Sequence, residues 1–450
     1  MPSEITREFI DQIEDAIERR DAEFILSNME GMYAVDITTV LYELNTEQSK
    51  YVMDILPVEV GAEILSDLDA EVRKNFLQNF TTEEIAAFID QMESDDAVDL
   101  LNEQPVQRKE EIIAQLGDQE HVAYIIDLLH YEEDCAGGLM AKELIKVNIN
   151  WRVGQCIEEI RRQAEEVEEV YATYVVDDRD KLLGLISLKT LILSNDQTPI
   201  AEVYNQDVIS VESYKHEQEV ASLMQKYDLE AIPVVNIQGR LLGRITIDDV
   251  LDVIQEQAEL SRQLMTGITE SIEEDDSVFR LSRARLPWLM VGMVGGLLGA
   301  RFIGLFEKDI AIIPAMAMFT PLITATGGNV GIQSSSIIIQ TLASNNVMFD
   351  NFGKRIGKVL LVAILNGLVM SGLVLGFNSL FGVEFTLSVV VSVALFSVVL
   401  LASFMGTVTP MILDRFGVNP AVAAGPFITT ANDLLGLAVY FMVAHFLYNL

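Results

Sequence analysis

The C-terminal part of the chain, from residue 286 onward, consists mainly of long apolar segments, and these restrict the possible folds more than any other feature. A bilayer core requires about 20 consecutive apolar residues in a helix. Within a bilayer the backbone polar groups must be hydrogen-bonded inside the spanning structure, so each such segment predicts a transmembrane helix. Five segments meet this description: 286–306, 310–343, 357–378, 385–408 and 422–446.

One carboxylate lies inside the last apolar segment. Asp433 stands in the run GPFITTANDLLGLAVYFMVAHFLYNL, which extends from Gly425 to Leu450, and the segment bounds place it near the bilayer midplane. A charge at that depth costs from about 2.5 to more than 10 kcal/mol and usually faces a bundle interior or a water-filled path. Asp433 is therefore a candidate functional residue. The alternative is a structural carboxylate, either neutral or paired with a neighbouring helix.

The second apolar segment carries polar groups at a similar depth. Gly327, Gly328 and Gly331 lie in TGGNVGIQSSS, with Asn329 between them. These glycines predict a loosened or broken helix, which a membrane tolerates only where the backbone is buried in protein or lines a cavity. Small residues that allow close helix packing are the competing explanation.

Basic residues predict the orientation of the membrane segments. They lie before the first segment, between the second and third, and between the fourth and fifth, at Arg280, Arg283, Arg285, Lys354, Arg355, Lys358 and Arg415. The positive-inside rule then predicts a cytoplasmic N-terminus and an outside C-terminus. The N-terminal sequence MPSEITREFIDQIED has no apolar core, so no cleaved signal peptide is expected.

The chain has a formal charge of −38, and residues 1–280 contain 62 acidic and 22 basic side chains. This asymmetry predicts a soluble acidic part joined to a membrane part. The acidity works against binding nucleic acid or anionic lipid and favours cations, although it could simply solubilise the surface. Cys135 and Cys156 form no disulfide framework and suit a reducing compartment.

Residues 1–135 predict an acidic array of short helices. Apolar residues recur every three or four positions, and helix-start signals recur at Thr46, Pro57, Asp69, Thr82, Ser94 and Pro105. Nearly constant spacing indicates a superhelical array that builds its core between neighbours. Asp95 and Asp99 stand four apart and share one helix face. They either form part of a solvated surface or share a cation.

Residues 136–253 contain an internal repeat with a constant offset of 59, in which VV-x4-LxG-x-I-[ST] occurs twice. The repeat predicts paired α/β modules whose sheets pack together. In the second copy, Asp248 is a predicted helix cap. Asp249, Asp252 and Glu256 fall on one face of that helix, and Glu259 follows. This face is either solvated or a divalent site, where oxygen ligands favour Mg²⁺ or Ca²⁺.

Residues 254–285 predict a connector helix with a turn near Thr266-Gly267, which either transmits a movement or serves as a tether. The predicted fold is multidomain: a superhelical N domain, a tandem α/β pair, a connector helix and an α-helical membrane domain of five helices, residues 286–450.

The repeat resembles a tandem of CBS domains, a module that often binds adenosine nucleotides or metal ions. Together with PLITATGGNVGIQ, GVNPAVAAGPFITTANDLLGLAVYF and the order of the parts, the whole chain resembles the MgtE family of magnesium transporters. This resemblance implies a homodimer in a bacterial inner membrane, with a Mg²⁺-selective pore between the subunits. It also leaves ATP binding to the CBS pair possible.

The resemblance implies roles for individual residues. Asp433 would bind the hydrated ion, with Thr429 and Gly425 one and two helical turns before it and Asn329 also lining the pore. Some family members carry Asn where this chain has Gly425. Cytoplasmic Mg²⁺ would be sensed at Asp95, Asp99, Asp249 and Asp252, with Glu256 and Glu259 on the connector. High Mg²⁺ would draw the acidic domains together and close the pore, whereas low Mg²⁺ would let them repel.

Two other functions fit the sequence: transport of another divalent ion such as Co²⁺ or Mn²⁺, and nucleotide or metal sensing at a membrane without transport. The glycine-rich stretch and the carboxylate at bilayer depth favour transport. We expect no enzyme, because no clustered nucleophile and base, P-loop or metalloprotease motif occurs. The histidines are expected to be isolated structural or solvated residues: His121, His130, His216 and His445.

Overall fold

The computed structural model describes residues 5–164, 167, 170–270, 272, 277–343, 352–423 and 425–448. The chain divides into two compact units, Met1–Ile254 and Gln255–Leu450. Each unit is described by itself below.

The first unit opens with ten short helices that follow the predicted start signals. Thr46, Thr82 and Ser94 are first helical residues, and Pro57 and Pro105 immediately precede helices. The helices are α1 Arg7–Arg19, α2 Ala22–Met29, α3 Ala34–Glu43, α4 Thr46–Ile55, α5 Val58–Asp67, α6 Ala70–Phe76, α7 Thr82–Ile89, α8 Ser94–Asn102, α9 Val106–Ile113 and α10 Gln119–Leu128.

Local hydrogen bonds and burial explain this array. At α7 the Thr81 hydroxyl accepts from the Glu84 backbone N–H, and the Glu84 carboxylate accepts from the Thr81 N–H, so this start is a capping box. Each short helix buries one apolar face against its neighbours, with Ile64, Ile85 and Leu101 fully buried. Such helices are marginal alone, and neighbour packing stabilises them.

The two repeat copies form two three-stranded sheets with the same topology. The strands are β1 Ile145–Asn148, β2 Thr173–Val176, β3 Leu182–Ile186, β4 Val211–Glu212, β5 Ala231–Val235 and β6 Leu241–Thr246. In each sheet the first strand pairs parallel to the second, and the second pairs antiparallel to the third. Helices α11 Val153–Gln163, α12 Leu188–Leu193 and α13 Glu217–Tyr227 flank the strands.

The offset of the repeat appears directly in the strand register. Val175 lies opposite Gly184 in the first sheet, and Val234 lies opposite Gly243 in the second. A Cβ at Gly184 would overlap the backbone of Asn205. The glycine of the LxG motif is therefore required by a close backbone approach.

Helix α14 Ile247–Thr266 runs without interruption from the second copy into the predicted connector and ends at the predicted turn, where Gly267 has φ +88°. The prediction that Asp248 caps this helix is wrong. The backbone N–H and the hydroxyl of Thr246 both donate to the Asp249 carboxylate, at 3.1 and 2.7 Å. Thr246 is therefore the N-cap residue, and Asp249, the third residue of the helix, accepts from it as the N3 residue of a capping box does.

The second unit contains α15 Val278–Gly304, α16 Glu307–Ile312, α17 Thr320–Ala343, α18 Phe352–Leu380, α19 Phe385–Arg415 and α20 Pro426–Tyr448. A 3₁₀ turn, Pro314–Phe319, separates α16 from α17, so the second apolar segment is not one helix. Of the helices described, α15, α18, α19 and α20 are long and apolar enough to cross a membrane. Helix α17 has sufficient length, but its glycine and serine residues make it less apolar.

The predicted break at Gly327–Gly331 is wrong, because α17 is a continuous helix through these residues. Its glycines pack closely against α19 and α20. An added Cβ at Gly327 would lie 3.0 Å from Val398 Cγ1, and one at Gly406 would overlap the carbonyl oxygen of Gly331. Close packing by small residues, the competing explanation, accounts for these glycines.

Candidate cation sites

Asp433 lies on α20 beside the glycine-rich face of α17. A Cβ added at Gly328 would lie 3.6 Å from Asp433 Oδ1 and 3.2 Å from Thr429 Cγ2. Asp433 is partly exposed, and no hydrogen bond or ion pair to its carboxylate occurs within the described part of the chain. The structure therefore does not support a carboxylate neutralised by a neighbouring helix, and the group remains available to a cation.

The other predicted pore residues lie on the same two helices. The Thr429 hydroxyl donates to the carbonyl oxygen of Gly425 at 3.2 Å, so it is already engaged one turn before Asp433. Asn329 is exposed on α17, next to Gly328. In a single chain, Asn329 thus lies on an open surface of α17.

Gly425 is buried beneath the end of α14. A Cβ at this position would overlap the carbonyl oxygen of Met265 and would lie 3.5 Å from the Gly267 nitrogen. Reciprocally, a Cβ at Gly267 would lie 2.7 Å from Pro426 Cγ. The chain therefore has no room for a side chain at Gly425.

An apolar cluster surrounds this contact. Leu264 on α14, Ile339 on α17 and Ala421 are buried together, with Leu260 and Val422 packed against them. The end of the connector helix is therefore seated at the entry to α20, two turns from Asp433.

A second acidic site lies in the first unit. A cavity of about 890 Å³ opens between the helical array and the two repeat copies. Its acidic lining includes Asp67, Glu93, Asp96, Glu143, Asp249 and Asp252. The sequence patterns predict Asp249 and Asp252 for this site but not Glu93, Asp96 or Glu143. Glu93 and Asp96 belong to the helical array and Glu143 to the repeat, so these residues line one cavity only in the folded protein.

The carboxylates of this site are crowded. Burial, and next the charge of Asp249, raise the pKa of Asp95 well above its ordinary value. Burial likewise raises the pKa of Asp249 to about 7, with the charge of Asp248 adding to the shift and hydrogen bonds from Thr246 opposing it. Both side chains keep some contact with solvent. Crowded carboxylates without a compensating cation are expected to behave in this way.

The remaining predicted regulatory residues lie elsewhere. Asp99 lies on α8 and is not among the residues that line the cavity; burial raises its pKa to about 7, with the charge of Arg73 opposing the shift and that of Asp96 adding to it. The structure therefore does not place Asp99 with the repeat carboxylates.

Glu256 and Glu259 are exposed on the part of α14 that belongs to the second unit. Glu259 lies 3.9 Å from Arg262.

A set of ion pairs joins the helical array to the repeat. Arg244 on β6 is only 4% exposed, and its Nη2 donates to both carboxylate oxygens of Glu93, at 2.7 and 2.9 Å. Lys142 Nζ lies 2.5 Å from Asp127. We call these two contacts the docking ion pairs. They connect the array and the repeat directly, without a metal ion.

His121 belongs to the same interface, so the expectation that it is isolated is wrong. Its Nδ1 lies 3.5 Å from the Glu143 carboxylate, which also accepts from the Ser94 hydroxyl at 2.7 Å. Burial alone lowers the pKa of His121, but the contact with Glu143 outweighs it and raises the pKa above 6.5. No sequence spacing could have indicated this contact, because Glu143 lies in the repeat and His121 in the array.

The acidic cavity fits a hydrated cation better than a fully ligated one. Among the residues that the structure describes, no three His, Cys, Asp or Glu side chains converge closely enough to hold a metal ion. Mg²⁺ usually retains several waters and contacts only one or two carboxylates. The carboxylates that line the cavity are oxygen donors, which suit Mg²⁺ rather than zinc or copper.

Comparison with known families accounts for about three quarters of the chain. Residues 320–443 match the MgtE family model, described as a divalent cation transporter. Residues 32–134 match the MgtE intracellular N domain, and residues 136–194 and 200–256 match the CBS domain.

Several proteins named magnesium transporter MgtE are similar along most of their length. That of Thermus thermophilus is 31% identical, with 97% of each chain covered, and that of Enterococcus faecalis is 34% identical, with 72% of each covered. That of Bacillus subtilis is 27% identical, covering 93% of this chain and 92% of the relative.

A solved structure of the cytosolic domain of the Mg²⁺ channel MgtE in complex with ATP is 32% identical to this chain. It covers 54% of this chain and 99% of its own, with a TM-score of 0.52. The soluble part of a magnesium transporter gives a TM-score of 0.51 at 28% identity, covering 55% of this chain and 98% of its own. The matched domains, their order and the full-length relatives show that the chain belongs to the MgtE family.

Proposed function

We propose that this protein is a Mg²⁺ channel that imports magnesium and that Asp433 holds the hydrated ion during passage. The observation that carries the proposal is the Asp433 carboxylate, which has no hydrogen bond or ion pair among the described residues and lies on the apolar helix α20 beside the glycine face of α17. Mg²⁺ gives up its waters reluctantly, so a carboxylate that contacts the hydrated ion suits its passage. Membership of the MgtE family supports the same ion.

The proposed active form is a homodimer. A single Asp433 supplies one carboxylate, whereas two subunits related by a twofold axis would supply two. The soluble unit supports self-association: Ile192 and Leu251 are 78% and 56% exposed and occupy equivalent positions in the two repeat copies. An apolar patch of this kind is expected at a protein interface, and a twofold interface would bring the same patch from both subunits together.

We further propose that the acidic cavity senses cytoplasmic Mg²⁺. An ion beside Asp95, Asp96, Asp249 and Asp252 would offset the burial and the mutual repulsion that together raise the pKa values of Asp95 and Asp249. Asp99 would act less directly, from outside the lining of the cavity. Glu256 and Glu259 would extend the acidic surface along α14.

The proposed gate is the contact between the end of α14 and the start of α20. The Met265 carbonyl approaches Gly425 with no space for a side chain between them. A displacement of α14 would therefore act directly on the backbone that leads into α20. The connector would transmit movement rather than serve only as a tether.

Two further aspects of the proposal concern location and nucleotide. The distribution of basic residues supports a cytoplasmic N-terminus and an outside C-terminus. The similarity to magnesium transporters of bacteria supports location in a bacterial inner membrane. The similarity to a cytosolic domain crystallised with ATP supports ATP binding by the CBS pair.

Replacement of Asp433 by Asn tests the pore proposal. We expect Asp433→Asn to abolish Mg²⁺ uptake by Mg²⁺-starved cells while dimers still assemble, because the amide has a similar shape but no charge. Asp414→Asn is the matched control, since Asp414 is exposed at the end of α19 and should leave uptake unchanged. Undiminished uptake by Asp433→Asn at equal membrane abundance would refute the pore role.

Ion flux into liposomes separates the proposal from its alternatives. The family model is described only as a divalent cation transporter, so transport of Co²⁺ or Mn²⁺ is the second candidate. Preferential flux of either ion over Mg²⁺ would favour that candidate. Absence of any divalent flux from the intact protein would favour a sensor.

A further inference from the structure

We propose that Asn432 is a positioning residue, whose buried side chain is seated against Gly331 and fixes the rotation of α20 so that Asp433 faces the ion path. This inference rests on the proposed role of Asp433. Asn432 is 2% exposed and directly precedes Asp433 in α20. The two side chains meet different glycines of α17: Asn432 meets Gly331, and Asp433 meets Gly328.

The space around Gly331 is closed on two sides. A Cβ added there would overlap Asn432 Nδ2 and would lie 3.2 Å from Asn432 Cγ and 2.8 Å from Ile428 Cγ2. On the other side, Gly406 of α19 approaches the Gly331 carbonyl so closely that a Cβ on Gly406 would overlap it. Helix α17 is thus held between α19 and α20 at this level, and even one methyl group would displace one of them.

The Asn432 amide is an unusual group to find in this space. Its Nδ2 has no hydrogen-bond partner among the residues described, although the side chain is almost wholly buried. Burying an unpaired amide is unfavourable. A planar amide, however, is thinner than the branched tip of leucine, and it fits a slot that has no room for a methyl group. The shape of the side chain therefore accounts for its presence.

The packing of Asn432 against Gly331 sets the direction of the Asp433 side chain, because successive side chains on a helix are about 100° apart. A side-chain group lies about 5 Å from the helix axis, so a rotation of about 20° would move the Asp433 oxygens by about 2 Å. The distance between two carboxylates that share one hydrated ion must match the size of that ion. A shift of this magnitude is expected to weaken ion binding, just as misplacement by 1 Å can cost about 100-fold in an enzyme.

Gly331→Ala is the primary test, carried out on the full-length protein by measuring initial Mg²⁺ uptake against external Mg²⁺ at known membrane abundance. We expect the half-saturating Mg²⁺ concentration to rise about tenfold, with a smaller change in maximal uptake, because the pore remains but its carboxylates are displaced. Gly372→Ala is the matched control: Gly372 lies on α18 with open space at its Cβ position, and its substitution should leave both values unchanged.

A second substitution separates positioning from general damage. Asn432→Ala in the Gly331→Ala background removes the amide that the new methyl group would strike, so we expect it to restore much of the lost affinity. An unchanged half-saturating concentration in Gly331→Ala would overturn the proposal, as would a double variant no better than Gly331→Ala. If Gly331→Ala fails to reach the membrane, the Asn432→Ala single variant is the test. Loss of the amide should let α20 rotate and so change the half-saturating Mg²⁺ concentration, and an unchanged value would overturn the proposal.

These outcomes are distinguishable from failure of the proposed function. If the unmodified protein carries Mg²⁺ and Asp433→Asn does not, the pore proposal stands whatever the result at Gly331. If the unmodified protein carries no Mg²⁺, the pore proposal falls, and with it the role of Asn432.

Discussion

The docking ion pair between Arg244 and Glu93 provides the sharpest quantitative prediction. Its side chains are only 5% and 20% exposed, and the guanidinium also lies 5.5 Å from the centroid of the Tyr171 ring. We expect Arg244→Met to remove the positive charge while filling a similar apolar volume. The change leaves the Glu93 carboxylate without its buried partner, at the contact between the helical array and the repeat.

Breaking a buried pair by removing one partner costs about 3–5 kcal/mol. Because Glu93 retains some access to water, we expect a value at the lower end, about 3 kcal/mol. In a unit of this size, each kcal/mol lowers the melting temperature by about 2–4 °C, so the first unit should melt roughly 6–12 °C lower. The matched control is Lys215→Met: its pair with Glu219 is exposed, and exposed pairs contribute about 0–1 kcal/mol.

The assay is thermal unfolding of the full-length protein in detergent with EDTA, combined with limited proteolysis of the array. We expect Arg244→Met to melt early and to be cleaved faster, and added Mg²⁺ to restore part of the protection. Glu93→Gln combined with Arg244→Met removes both charges, so the double variant should be more stable than the sum of the single effects predicts. A coupling energy below about 0.5 kcal/mol would refute the reasoning, since that is the error expected for independent sites.

Two further predictions follow from the acidic cavity and from the gate. The pKa of Asp249 is raised to about 7, so at pH 6 this carboxyl must release a proton before it binds Mg²⁺; we expect the Mg²⁺ concentration that protects the array from protease to be about tenfold higher at pH 6 than at pH 8. Without Mg²⁺ the native state binds more protons than the unfolded state, so stability should fall as pH rises from about 4 through 7, and a flat profile would contradict the role of Asp249. Gly425→Asn adds a side chain where the Met265 carbonyl lies, so we expect it to keep the connector from seating and to sustain uptake at high cytoplasmic Mg²⁺. Uptake that still shuts off normally in this variant, measured by a fluorescent Mg²⁺ indicator, would show that the contact is not the gate.

Features encoded within a few residues were predictable from the sequence. The capping box at Thr81 and the turn at Gly267 depend on local hydrogen bonds and backbone angles, and the structure has both. The repeat was visible because the two LxG strands pair with their neighbours in the same register. Asp433 was identifiable because a charge in an apolar segment is conspicuous in any context.

Features that depend on long-range packing were not predictable. The glycines of α17 indicate a weak helix locally, but α19 and α20 enclose them, and this packing stabilises a continuous helix. Asp99 shares a helix face with Asp95 in sequence, yet the charge of Asp249 is the largest acting on Asp95, whereas the charges of Arg73 and Asp96 are the largest acting on Asp99. Glu143 and His121 meet only after the repeat and the array fold together.

The docking ion pairs have a consequence for the set point of magnesium homeostasis. Any free energy that Arg244 and Lys142 contribute to the docked state is free energy that bound Mg²⁺ need not supply. By linkage, each 1.4 kcal/mol supplied in this way lowers the Mg²⁺ concentration needed for docking by about tenfold. Substitution of one cationic residue far from the pore would therefore change the cytoplasmic Mg²⁺ concentration at which import stops, without any change in the ion-conducting helices.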